Sequence, residues 1–130
     1  NARTPMQWND GLNAGFTTGK PWLGVNANYK NINMASQMQD PGSIRSYYKK
    51  MIALRAGSDV LKWGSFIPLE TGNRLFVYRR KLQEETLTII LNFSDQSAKA
   101  PYGGEVVTSS YGTADFNGML QPYEAVILKE

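Results

Sequence analysis

Acid–base chemistry in this chain would have to come from carboxylates. The sequence contains no histidine and no cysteine. That removes Ser-His-Asp and Cys-His nucleophilic catalysis and the usual zinc ligand sets. The acids are Asp10, Asp40, Asp59, Glu70, Glu84, Glu85, Asp95, Glu105, Asp115, Glu124 and Glu130. Retaining hydrolysis of a glycosidic bond needs two carboxyl groups about 5 Å apart, one a nucleophile and the other a general acid. The spacing here offers no such pair. Asp40 reads as a helix N-cap, Glu84-Glu85 as a charged strand connection, and Asp95 and Asp115 lie in turn clusters. No catalytic residue is therefore expected within the chain.

Other site chemistries are weaker still. Asn9, Asp10 and Asn13 supply oxygen atoms, but the alternating ligands, glycine and terminal glutamate of a calcium loop are missing, so a polar turn is expected and no metal. The glycines from Gly11 to Gly24 lack the Gly-Lys-Ser/Thr ending or the dinucleotide pattern that would cradle phosphate, and no cofactor is expected. Trp8, Trp22 and Trp63 could stack on the apolar faces of sugar rings. As core or interface anchors they need no ligand. The anchor reading is preferred for Trp22 and Trp63, and both readings stay open for Trp8.

The elements that would carry these residues fall into three textures. Up to Gln39 the chain is rich in Gly, Asn, Pro and Thr, with isolated large apolar residues Met6, Trp8, Phe16, Trp22, Val25, Tyr29 and Ile32. Only 35–39 shows a helical turn. A long aperiodic stretch with several aromatics is expected to pack on a surface outside this chain. From Asp40 to about Ala56 the pattern predicts a helix, with Asp40 as N-cap, Pro41 at its first position and Gly57 as its stop. Ile44, Tyr47, Tyr48, Met51, Ile52 and Arg55 recur at helical spacing and form a wide stripe that is expected to pack on a sheet. From Val60 onward the period is two. Strands are expected over 61–69 (with Gly64 as a bulge), 75–81, 86–93, 105–109 and 125–129. Turns are expected at Thr71-Gly72-Asn73, Ser94 to Ser97, Tyr102 to Gly104 and Gly112 to Gly118. In 86–93, Leu87, Ile89, Leu91 and Phe93 alternate with Thr86, Thr88 and Asn92. The expected class is mainly β, a C-terminal antiparallel β-sandwich over 58–130. A unit of about 70 residues buries barely enough surface to be stable alone.

The net charge of +3 comes from dispersed cations, with local groups at Arg45, Lys49, Lys50 and Arg55 and at Arg79-Arg80-Lys81. A nucleic-acid binder would carry a denser basic stripe or a recognisable motif, so no nucleic-acid partner is expected. No apolar run approaches the ~20 residues of a membrane span, and no opening segment reads as a signal peptide. The absence of cysteine fits a cytoplasmic protein.

Arg3-Thr4-Pro5-Met6-Gln7-Trp8 and Asn13-Ala14-Gly15-Phe16-Thr17-Thr18-Gly19 resemble the α-amylase family of glycoside hydrolases (glycoside hydrolase family 13). They are similar to the branch with oligo-1,6-glucosidases, dextran glucosidases, trehalose-6-phosphate hydrolases and sucrose isomerases. The likeness continues through Pro21-Trp22, Asn28-Tyr29-Lys30, Ser43-Ile44, Tyr47-Tyr48-Lys49-Lys50, Leu54-Arg55, Leu91-Asn92-Phe93-Ser94 and Leu120-Gln121-Pro122-Tyr123-Glu124-Ala125. Two positions depart from it: Asn9 stands where relatives often have Asp, and Ala27 replaces a common Pro.

The resemblance implies a longer parent with a catalytic (β/α)8 barrel, whose nucleophile and acid/base lie upstream of this chain. Residues 1–57 would be the end of that barrel, connection plus final helix, and 58–130 the C-terminal antiparallel β-domain. Arg3, Gln7 and Trp8 would start near the active-site rim, since barrel active sites gather at the C-terminal ends of the strands. The implied function is that of a non-catalytic C-terminal fragment of a retaining α-glucosidase acting on short α-1,6-linked gluco-oligosaccharides. The oligosaccharide would be bound through the parent barrel, and the fragment would self-associate through its barrel-facing surface. The alternative is a free-standing carbohydrate-binding or structural β-sandwich module without enzyme activity, which would expose a flat row of aromatics across its strands.

Overall fold

The computed structural model describes residues 2–69, 72 and 74–130. The expected Thr71-Gly72-Asn73 turn lies outside the described residues, with only Gly72 described. The chain divides into two compact units, Asn1–Ala53 and Leu54–Glu130. Leu54 packs with the second core of the β unit, and the Arg55 guanidinium donates to the Leu61 carbonyl. Among the described residues no helix is long and apolar enough to cross a membrane.

In the first unit two 3-10 turns, Leu12–Gly15 and Ala27–Lys30, lead into helix α1, Met34–Gln39. The expected turn at 35–39 is this helix. Asn33 caps it with a reciprocal pair of bonds: the Ser36 N–H donates to Asn33 Oδ1 at 2.9 Å, and the Asn33 N–H donates to Ser36 Oγ at 3.4 Å. Helix α2, Ile44–Gly57, begins later than expected. Asp40 is the C-cap of α1, and its carboxylate accepts the Gly42 N–H at 2.8 Å in a local turn. The position before α2 is Ser43, whose hydroxyl accepts the Ser46 N–H at 3.2 Å. Pro41 thus sits in the turn and not at a first helical position. Gly57 does end the helix. No residue of α2 is buried, and Ile44, Tyr48 and Ile52 are exposed.

The second unit opens with helix α3, Asp59–Trp63, where a strand over 61–69 was expected. Local capping overrides the β pattern: Ser58 Oγ accepts the Leu61 N–H, and Asp59 sits in the positive first turn with Lys62 at 2.8 Å. Gly64 is the C-cap, not a bulge. A Cβ there would lie 2.4 Å from the Val60 carbonyl oxygen. The strands are β1 Ser65–Leu69, β2 Leu75–Leu82, β3 Glu85–Asn92, β4 Ala98–Lys99, β5 Glu105–Ser109, β6 Met119–Leu120 and β7 Ala125–Lys129. Five pair antiparallel in the order β1-β2-β3-β7-β5, while β4 and β6 form a separate two-stranded sheet. Gln83, at φ 53, makes the tight turn between β2 and β3, so Glu85 belongs to the strand rather than to the connection.

The central position of β3 explains its burial. Ile90 packs with Val77, Val126 and Leu128 against Leu120 and Ala100, so the small sheet covers one face. Leu87 and Ile89 pack on Val60 and Leu61, so α3 covers the other. The layer on the first of these faces is thus a two-stranded sheet, and the fold is mostly antiparallel sheet with few helices. Thr88 and Asn92, on the polar side of the expected alternation, are buried, and Phe93, expected on the buried face, is 70% exposed beyond the end of the strand.

Candidate functional site

The opening motif is built into a scaffold of backbone hydrogen bonds. The Trp8 and Asn9 N–H groups both donate to the Ala14 carbonyl, at 2.9 and 3.1 Å. The Met34 N–H donates to the Gln7 carbonyl at 2.9 Å, and the Ala35 N–H to the Trp8 carbonyl at 3.0 Å. These bonds use the first N–H groups of α1, which have no partner within the helix. The motif is therefore docked on a helix N-terminus.

The Ala14 carbonyl reaches two donors because the chain turns back sharply. Asn13 and Ala14 have φ of 50 and 57, and Gly15 has φ 69. For an L-residue such as Ala14 the left-handed region costs roughly 1–2 kcal/mol. Asn13 tolerates it better, and its Nδ2 donates to the Thr17 and Gly19 carbonyls at 3.1 and 2.8 Å. Ala14 itself is fully buried. Asn9 Oδ1 accepts the Gly11 N–H at 2.8 Å, which gives the expected polar turn its geometry.

The three expected rim residues separate in role. Gln7 is half-buried, and its Nε2 donates to Asn28 Oδ1 at 3.0 Å and to the Ile32 carbonyl. Its side chain clamps the connection and is not free to meet a ligand. Arg3 is exposed, and its guanidinium lies over the Trp22 ring, 4.7 Å from the centroid. Such a contact contributes about 0.5–1 kcal/mol at an exposed site. Trp8 is half-exposed, with its backbone fixed on both sides. Trp22 and Trp63 are exposed too, so of the expected core or interface anchor roles neither fills the core one within this chain.

Between the motif and the start of α2 lies an open cavity of about 480 Å³, lined by Pro5, Met6, Ile32, Met34, Ile44 and Tyr48 among others. Its walls are mostly apolar and hold no carboxylate. They suit the burial of hydrophobic side chains better than acid–base chemistry.

The carboxylates with described partners bond to hydroxyls, cations and backbone N–H groups. Glu124 is buried, at 2% exposure. It accepts from Ser109 Oγ at 2.7 Å, Thr113 Oγ1 at 3.0 Å and the Gln121 N–H at 2.8 Å. It joins the end of β5, the following loop and the turn into β7. Glu85 pairs with Lys129 at 3.5 Å. Glu130 meets Arg79 at 2.6 Å and also accepts from Thr88. Burial pushes the Glu130 carboxyl up, but the Thr88 and Arg79 hydrogen bonds, with the charges of Arg79 and Lys81, outweigh it and hold it below its ordinary value. Among the described residues no group of three or more acids could hold a metal ion.

Local spacing does not reveal the clamp made by Gln7 or the burial of Glu124. Gln7 bonds to residues more than 20 positions away, which no local spacing encodes. The capping box of Asn33 and Ser36 was open to view as a cap residue followed three positions later by a hydrogen-bonding one.

Residues 1–64 match the family model described as the α-amylase catalytic domain. The chain is 48% identical over 98 residues to an oligo-1,6-glucosidase of Parageobacillus thermoglucosidasius, covering 75% of this chain and 17% of that protein. It is 40% identical to an oligo-1,6-glucosidase of Bacillus cereus, covering 99% of this chain and 25% of the other. The solved structure of the trehalulose synthase MutB from Pseudomonas mesoacidophila MX-45 superposes with a TM-score of 0.88 at 37% identity, covering 99% of this chain and 25% of that one. The chain thus spans a quarter or less of the length of these relatives. It belongs to the α-amylase family, in the oligo-1,6-glucosidase branch, as a portion consistent with the C-terminal part of such an enzyme.

Proposed function

We propose that this chain is the non-catalytic C-terminal portion of a retaining α-glucosidase that hydrolyses short α-1,6-linked gluco-oligosaccharides. In this reading residues 1–57 close the catalytic barrel and 58–130 form the β-domain that follows it. The nucleophile and the acid/base act from the preceding part of the protein, through a covalent glycosyl intermediate. Arg3 and Trp8 belong to the rim of the active site, and Gln7 supports it from behind. A cytoplasmic location is supported by the absence of cysteine.

The observation that carries the proposal is the uncovered apolar surface of residues 1–53. Met6, Ile44, Tyr48 and Ile52 are exposed near a cavity with mostly apolar walls. Contiguous apolar patches are rare on monomeric proteins unless they meet a partner. A barrel-closing segment separated from its barrel would show such a surface. The isolated chain then self-associates through it, and sedimentation velocity over a concentration series should show mass rising with concentration. A monomer at every concentration would defeat that consequence.

One observation favours the alternative of a free-standing binding module. Phe66 and Phe76 flank Tyr78 across β1 and β2, with ring centroids 4.9 and 5.6 Å apart. The rings are tilted by 36° and 47°, so they pack on each other rather than lining up as a flat platform. The fragment reading therefore stands ahead.

The test is an assay of the 130-residue chain beside the full-length protein, with p-nitrophenyl α-glucoside and isomaltose. The full-length protein should turn both over and the chain neither. Turnover by the chain that disappears with Glu124→Gln or Asp10→Asn would place catalysis inside it and overturn the proposal.

A further inference from the structure

Asn117 is followed by Gly118, and no other asparagine of the chain precedes a glycine. That order matters to covalent chemistry. The backbone nitrogen after an asparagine can attack the side-chain carbonyl carbon, and a side chain on the attacking residue crowds the approach. Glycine carries none. Asn117 is exposed, in the loop between β5 and β6.

The local bonding leaves each participant in this reaction accessible. Among the described residues neither the Gly118 N–H nor the Asn117 side-chain NH2 makes a hydrogen bond. The nucleophile and the leaving group are thus both free. The Met119 N–H donates to Asn117 Oδ1 at 3.1 Å. That oxygen takes up negative charge as the attack proceeds, and a backbone donor aimed at it stabilises the charge. Other asparagines differ on both counts. Asn13, Asn33 and Asn92 donate through Nδ2 to backbone carbonyls, and they precede Ala14, Met34 and Phe93.

We propose that Asn117 is a site of spontaneous deamidation that loosens the cover of the first core of the β unit. The Gly118 nitrogen gives up its proton to a base in solution and bonds to Asn117 Cγ. The Cγ–Nδ2 bond breaks, and the side-chain amide leaves as ammonia with a proton returned by solvent. Water then opens the five-membered imide at either of its carbonyls, with no change of oxidation state. One opening gives aspartate. The other gives isoaspartate, in which the main chain runs through the former side chain and is one methylene longer. The extra length enters beside the Gly118 carbonyl, which accepts the Ala100 N–H at 2.9 Å. It also lies just ahead of β6, where Leu120 pairs with Ala98 and is fully buried in the first core. Isoaspartate therefore shifts the strand that holds Leu120, whereas aspartate keeps an oxygen for the Met119 N–H. The reaction needs no substrate, so it does not rest on the glucosidase reading.

The test incubates the 130-residue chain at about pH 6 and about pH 9 and follows the tryptic peptide 100–129 by mass spectrometry. Asn117 is the one asparagine in that peptide. The peptide should gain about 1 Da, faster at the higher pH because the nucleophile must lose a proton. Isoaspartate should appear by labelling with the methyltransferase specific for it. Asn117→Ser should abolish the gain, and the folded chain should react within about tenfold of the chain unfolded in urea. Aged wild type should melt below fresh wild type, while fresh Asn117→Asp should melt with fresh wild type. No gain, a gain that persists in Asn117→Ser, or folding that slows the reaction more than about tenfold would overturn the site. Aged protein that melts with fresh protein, or fresh Asn117→Asp that melts as low as aged protein, would overturn the loosening of the core by a longer main chain.

Discussion

Removing the Glu124 side chain should be among the most damaging single changes in the β unit. Its two oxygens accept from Ser109 Oγ, Thr113 Oγ1 and the Gln121 N–H, and it is 2% exposed. In Glu124→Ala the two hydroxyls can rotate toward other acceptors, but the Gln121 N–H cannot. One buried donor without a partner costs about 1–3 kcal/mol, and the cavity left by the side chain adds to it. The expected total is about 3–5 kcal/mol. Glu124→Gln tests the reason. The amide keeps the volume, its oxygen can face the Gln121 N–H, and its NH2 can donate to the two hydroxyls, which accept as readily as they donate. Only the charge-assisted part is lost, about 1 kcal/mol. Urea unfolding of the 130-residue chain gives the two values. For a domain of this size a loss of 3 kcal/mol also lowers the melting temperature by about 12–24 °C. An alanine variant within about 0.5 kcal/mol of wild type, the range of ordinary surface changes, would refute the reasoning. A glutamine variant as damaged as the alanine one would show that the charge, and not the geometry of donors, holds this corner.

Burial on both faces of β3 predicts that Ile90→Ala and Ile89→Ala each lose about 2–5 kcal/mol, whereas Phe93→Ala stays within about 0.5 kcal/mol of wild type; denaturation midpoints of the three variants check this. The Glu130 carboxyl is held below its ordinary value, so its interaction with Arg79 stabilises the fold fully above the ordinary glutamate range and is lost as pH falls through the lower folded value. A partly exposed pair contributes at most about 1 kcal/mol, so the difference in urea midpoint between wild type and Arg79→Met should be small at pH 7 and shrink as the pH is lowered toward 2. A difference that stays constant between those pH values would remove the link.

What the sequence made legible is what adjacent residues encode. Alternation located β2, β3, β5 and β7, because a strand with one face on a core repeats every second residue. Alternation misleads where distant partners decide. Thr88 and Asn92 looked like a solvent face. Their burial is supported by Arg79 and Glu130 for Thr88, and by the Gln96 and Gln121 carbonyls for Asn92. A polar residue with its bonds satisfied can be buried at little cost, so alternation of polarity stops reporting burial in a strand covered on both sides. At α3 the conflict is local: Ser58 and Asp59 cap a short helix at the start of a stretch whose Leu61, Trp63, Phe66, Ile67 and Leu69 suggest a strand.

The candidate site shows the same division more sharply. The motif Arg3 to Trp8 was identified by type and spacing, but spacing assigned one role to all of its polar and aromatic members. Gln7 reaches back to Asn28 and Ile32, and Arg3 reaches forward to Trp22. Beside them the chain reverses through Asn13 and Ala14 in the left-handed region, which Asn tolerates and Ala disfavours. No propensity scale selects that conformation. It is imposed by the carbonyl of Ala14 meeting two N–H groups at once, so the reversal and the motif specify each other. A motif of this kind marks where a site lies, and the partners that its fold brings within bonding distance determine which of its residues remain free to meet a ligand.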